Sequence, residues 1–158
     1  MNKPNYAERR LRVRATLDFL LNDWLKVGAL CARPRFADHS TGTFGAVLDT
    51  AEKIAKDKYA PFNRLVDLQE PRTETDANGT LRVVLPQATH DAWKAYAESG
   101  MLAAAQDYEN HGMQLPYTIE ASANAIFSMA SVSISWAMLT VGNANLIMAH
   151  GTPLQKEL

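Results

Sequence analysis

The sequence predicts an all-α protein, an antiparallel bundle of about five to six helices. Three observations carry that prediction. Two stretches, around Leu17–Leu25 and Phe44–Tyr59, repeat apolar residues at helical spacing. A third, residues 121–149, holds no Asp, Glu, Lys or Arg and is too long for a buried strand. The turn signal Asn78-Gly79 is followed only by a short extended piece, Leu81–Leu85, from which no sheet core follows.

The first helix is expected from about Ala7 to Val27. Leu17, Leu20, Leu21, Trp24 and Leu25 recur at i, i+3, i+4, i+7 and i+8 and form one apolar face. Arg9, Arg10, Arg12 and Arg14 precede that face. A phosphate-binding patch is one reading, but no glycine loop or aromatic accompanies them, so they read as a solvated helix start or as salt-bridge partners for a missing domain. Gly28 to Gly42 reads as a linker containing Arg33-Pro34-Arg35. The second helix starts near Thr43 and carries Phe44, Val47, Leu48, Ala51, Ile54, Ala55 and Tyr59 on one stripe. Ala60-Pro61 ends it, because proline disfavours helical geometry in the residue before it. Phe62 to Leu68 reads as a further short helical turn. The third helix runs from Thr89 to Ser99 with Gly100 as its C-cap, and Trp93, Tyr96 and Ala97 mark its buried side. Met101 to Leu115 is a loop punctuated by Gly112 and Pro116.

Two long helices follow, about Tyr117–Met129 and Ser131–Ala149, and both are expected to be buried, with the rest of the chain as their cover. Their length and lack of charge resemble a membrane span, but Ser122, Asn124, Ser128, Ser131, Ser133, Ser135, Thr140, Asn143 and Asn145 interrupt them throughout. The pattern suits helices packed in protein, and no membrane span is expected. The chain then closes on His150-Gly151 and opens a new helix with Thr152-Pro153-Leu154-Gln155. Thr152 and Gln155 match a capping box, and Pro153 occupies the first helical position, where its missing N–H costs nothing. Only three residues follow Gln155, too few to hold a helix alone in water. The expectation is that this is the front part of a longer protein.

Composition narrows the function. The 158 residues are 47% apolar, enough for one domain with a core. Sixteen basic and 17 acidic residues leave a net charge of −1, so charge offers no reason to invoke nucleic acid or an anionic membrane. Cys31 is the single cysteine and reads as a small buried or half-buried thiol. The N-terminus has no apolar h-region of a secretory signal, so the cytoplasm is the default expectation.

The chemistry-bearing residues are sparse. His39, His90, His111 and His150 do not pair at ligand spacing, and Glu-x-x-His, HExxH, GxSxG, P-loop and GxGxxG motifs are absent from the sequence. Asp107, Glu109 and His111 lie together in a loop and read as solvated. On the Ser131–Ala149 helix, Ser133, Ser135, Gly142, Asn143 and Asn145 alternate with Ile134, Trp136, Met138 and Leu139. Small residues let a neighbouring helix or a ligand approach closely, and Met138 suits an adaptable apolar wall. Helix packing and a ligand wall both remain open on this evidence.

The order of features resembles the N-terminal helical domain of the acyl-CoA dehydrogenase family. Ala60-Pro61-x-Asn63-Arg64 follows a long helix. Trp93, Tyr96 and Gly100 come next, then Gly112-x-x-Leu115-Pro116, and the chain closes on His150-Gly151-Thr152-x-x-Gln155-Lys156. The similarity is strongest to the bacterial 3-methylmercaptopropionyl-CoA dehydrogenase-like branch. It runs from about residue 43 to the end, so residues 1–42 read as an extension helix and linker, and residues 43–158 as the helical domain, truncated before an FAD-binding β-domain. The resemblance implies an FAD-dependent flavoprotein of fatty acid metabolism. It would dehydrogenate the α,β-bond of an acyl-CoA, pass electrons to an acceptor and work as a homo-oligomer. The catalytic glutamate and most of the FAD site would lie outside this chain, which supplies no catalytic base, would bind no FAD alone and would be inactive as a fragment. It also implies that Ile134, Met138 and Gly142 face the acyl pocket as one apolar wall. The same bundle could instead serve as a stand-alone binding or assembly module. Exposure of the missing domain's interface would favour self-association or exchange of the terminal segment.

Overall fold

The computed structural model describes residues 5–157. Met1–Pro4 and Leu158, and with them the outer ends of the segments expected at 1–42 and 43–158, lie outside the described residues. The architecture is the expected all-α bundle. Its helices are α1 (Tyr6–Asp18), α2 (Thr41–Ile54), α3 (Asn63–Leu68), α4 (Gln87–Glu98), α5 (Tyr117–Ala130), α6 (Val132–Ser135), α7 (Thr140–His150) and α8 (Pro153–Glu157). One small hairpin, β1 (Arg72–Thr75) with β2 (Leu81–Val84), stands between α3 and α4.

The core forms where α2 and α5 pack together and α4 closes over them. Phe44, Leu48, Ala51 and the adjoining Tyr59 from the α2 side meet Ile119, Ala123, Ile126 and Phe127 of α5, with Ala92 and Tyr96 of α4. Phe127 sits between two aromatic rings, 5.0 Å from Tyr59 and 5.1 Å from Tyr96 between centroids. Ser40 caps α2: its hydroxyl accepts from the Thr43 N–H at 3.1 Å, and the Thr43 hydroxyl accepts from the Ser40 N–H at 2.8 Å. The helix therefore starts two residues earlier than expected. Pro116 opens α5, and Ser131 in extended geometry (φ −161°) closes it. The expected capping box at the C-terminus is present, with the Thr152 N–H donating to Gln155 Oε1 at 2.9 Å.

Several expectations are corrected. The first helix does not keep one pitch to Val27. It widens to a π-helix over Phe19–Trp24, closed by the Leu25 N–H on the Leu20 carbonyl at 2.8 Å, and then breaks at Lys26, whose φ is +52°. The wider turn rotates the apolar stripe, so Leu21 is buried while Trp24 is 69% exposed and Leu25 is also exposed. The expected 28–42 linker is largely 3₁₀-helical, over Val27–Ala32 and Pro34–Phe36. Ala60-Pro61 does not end the second helical run. A π-turn over Ala55–Tyr59 and a 3₁₀ turn over Ala60–Phe62 carry it into α3, with Pro61 at the start of the 3₁₀ turn. Leu81–Val84 acquires a strand partner, Arg72–Thr75, in register Arg72↔Val84, and that sheet remains outside the core as expected. On α4 the buried face is Thr89, Ala92 and Tyr96 with Trp93 half-buried, whereas Ala97 is exposed.

The largest correction concerns the uncharged stretch. α5 is buried, but among the described residues beyond Ser131 only Ile134, Ser135 and Val141 are, and Leu139 is 81% exposed. The expected Ser131–Ala149 helix is α6 and α7 joined by a 3₁₀ turn at Trp136–Leu139. A lack of charge reports what a helix tolerates; burial needs an opposing element, and over α7 the described residues provide little. By length and composition alone, Val132–His150 is apolar enough to cross a membrane.

Glu120 stands inside the core at 1% exposure, with its Oε2 unpaired among the described residues. Burial raises its carboxyl above the ordinary glutamate range. The folded state then holds this proton more tightly than the unfolded chain. Its contribution to stability is full below the unfolded carboxyl value and is lost as pH climbs through the raised one. Glu120→Gln is expected to lift the melting temperature at pH 7 by a few degrees and to flatten its decline from pH 4 upward. Equal shifts at both pH values would contradict this.

Candidate functional site

Two of the cavities beside the α6–α7 segment are lined by the sequence-predicted residues. The first, about 350 Å³, is lined by Tyr59, Trp93, Tyr96, Leu102, Ile134 and Met138 among others, with Lys94 and Thr140 also on its wall. The second, about 520 Å³, lies toward α5 and includes Tyr117, Asn124, Ser128, Ser135, Met138 and Gly142. The sequence-predicted trio is thus divided. Ile134 faces the first cavity, Gly142 the second, and Met138 borders both. Ile134 is fully buried, Met138 half-buried and Gly142 exposed. A Cβ on Gly142 would meet nothing within 4 Å, so that position leaves open space.

The wall is held by its neighbours. Trp93 Nε1–H donates to the Ile134 carbonyl at 2.8 Å, and its ring meets Trp136 edge-on at 4.8 Å. These contacts tie α6 to α4 where Ser131 has interrupted the helix. Between the cavities the Tyr96 hydroxyl donates to Asn124 Oδ1 at 3.0 Å. Burial, reinforced by the negative charge of Glu120 and opposed by the Asn124 bond, pushes the Tyr96 phenol up to about 12. Burial raises Tyr59 as well, with a further push from Tyr96. Both phenols stay protonated at neutral pH, so the arrangement supplies hydroxyl donors and apolar surface rather than a base or nucleophile. The sequence marked Trp93 and Tyr96 as buried and as part of the family pattern, and Asn124 only as a polar interruption. Their roles depend on which helix faces which.

The other sequence candidates sit elsewhere. Asp107 pairs with Arg35, and Glu109 and His111 are exposed. His39 Nε2 lies 3.1 Å from both the Met113 and Gln114 carbonyls; since carbonyls only accept, this nitrogen carries a proton. Arg14 engages Asp18 and Asp49, so its ion pairs lie within this chain rather than reaching a further domain. Cys31 is half-buried. Among the described residues no group of three or more His, Cys, Asp or Glu could hold a metal. The cavity walls do not fit a flavin dinucleotide either. A pyrophosphate needs converging backbone N–H groups or several cations, and these walls offer one ammonium, Lys94, already paired with Glu98.

No protein-family model matches the chain. It is similar to 3-methylmercaptopropionyl-CoA dehydrogenase of Ruegeria pomeroyi, 27% identical over 137 residues. The match takes in 86% of this chain but only 22% of the relative's length. This distant similarity supports the acyl-CoA dehydrogenase family.

Proposed function

We propose that this chain is the N-terminal helical part of an FAD-dependent acyl-CoA dehydrogenase and forms one wall of the acyl pocket through Ile134, Met138 and Gly142. The observation that carries the reading is the similarity over 86% of the chain to an acyl-CoA dehydrogenase of which it spans about one fifth. The apolar cavities beside α6 and α7 support it, since a hydrocarbon chain gains from such surface. When bound, FAD would accept the hydride from the substrate's β-carbon. The residues described here would exclude water and orient the acyl chain. The flavin and the base would be held by parts of the protein outside residues 1–158.

The exposed side chains Leu139, Leu146 and Ile147 favour a covering surface over α7. In this reading that cover is another domain or a second copy of the protein, rather than lipid. A stand-alone assembly module is the alternative, favoured only by the lack of a catalytic set among the described residues. Expression from the native open reading frame separates the two. Flavin absorbance bands that bleach on adding an acyl-CoA are expected; a folded, colourless product that ignores acyl-CoA would contradict the dehydrogenase reading.

A further inference from the structure

Among the described residues lining the two cavities, Met138 alone borders both. We propose that the Met138 side chain is a movable partition that sets how long an acyl chain this wall accepts, an inference that rests on the acyl-wall reading above. The two cavities differ in chemistry. The second carries Asn124, Ser128, Ser135 and Asn145, partners for the thioester and amide end of a CoA ester. The first is walled by Leu102, Ile134 and the rings of Tyr59 and Trp93, a lining for methylenes. At about 520 and 350 Å³ each falls within the range of small-molecule sites.

One crossing between them is fixed: the Tyr96 hydroxyl on Asn124 Oδ1 joins a residue of the first wall to one of the second at 3.0 Å. The other crossing is Met138. It is half-buried, unbranched and free of hydrogen bonds that rotation would break, so it can move where the tyrosine–asparagine pair cannot. With Met138 across the gap, a short chain ends in the second cavity. With Met138 turned aside, a longer chain continues into the first.

The test uses the protein expressed from its native reading frame with ¹³C-methyl methionine, titrated with butyryl-CoA and decanoyl-CoA. Decanoyl-CoA is expected to move the Met138 methyl resonance and butyryl-CoA to leave it in place. The ratio of decanoyl to butyryl affinity is expected to rise about tenfold in Met138→Ala, as a few extra methylenes become buried, and to fall in Met138→Phe. Met138→Leu, which conserves volume, checks by its melting temperature that the segment stays folded. A ratio that is the same in all variants, with both esters bound, would overturn the partition and leave the acyl wall standing. Binding of neither ester by any variant would remove the wall and the partition with it.

Discussion

Replacing Phe127 with alanine is expected to cost about 3–5 kcal/mol of folding stability, read by chemical denaturation. The ring is fully buried in the last turn of α5, between the rings of Tyr59 and Tyr96. Removing it loses the transfer energy of the side chain and leaves a hole whose lining belongs to three different elements. α5 cannot move in to fill that hole, since α2 holds it along its length. A domain of this size has about 5–15 kcal/mol in total, so the variant would stand near its folding threshold. Phe127→Leu, which keeps most of the volume, is expected to cost far less. Equal losses for the two variants would show that the aromatic cluster is not the centre of the core.

Gly112→Ala is the second large effect, expected at about 2–3 kcal/mol. The segment from Gly112 to Leu115 folds back on 103–107, with the Leu115 N–H on the Ala104 carbonyl at 2.8 Å and the Gln114 N–H on the Gln106 carbonyl at 2.9 Å. A Cβ at residue 112 would overlap the Gln106 carbonyl and stand 2.7 Å from the Ala103 oxygen. Both obstacles are backbone and cannot rotate away. Displacing this strand-like return would also strain Asp107 on Arg35 and His39 on the Met113 and Gln114 carbonyls. The loss should appear as a lower denaturation midpoint. Gly142→Ala, where an added Cβ meets open space, provides the contrast and is expected to be near neutral or stabilising.

Much of this architecture is legible in the residues. Pro116 and the polar residues after Met129 bracket α5 almost to the residue, because proline fixes a start and an extended Ser131 makes a stop. Thr152, Pro153 and Gln155 announce a helix start by side-chain chemistry alone, and the bonds they predict are formed. The π-turns at Phe19–Trp24 and Ala55–Tyr59 leave no such mark, since a change of pitch is set by what the helix packs against. Trp24 and Leu25 are exposed for that reason. Strand β1 is short, polar and solvated, so Arg72–Thr75 carries no alternation to read. For the site, the sequence offered Ile134, Met138 and Gly142 only through a family resemblance. That these residues face two cavities, and that Tyr96 and Asn124 close the space between them, depends on contacts among α4, α5 and α6 that a linear pattern does not contain.

The most direct measurement is photo-crosslinking. An acyl-CoA carrying a diazirine at the end of its chain would be irradiated with the protein expressed from its native reading frame, and the labelled peptides mapped by mass spectrometry. The acyl-wall account predicts label on residues 131–142, at or beside Ile134 and Met138, displaced by excess unlabelled acyl-CoA. Displaceable label confined to other segments, with none on α6 or α7, would contradict it.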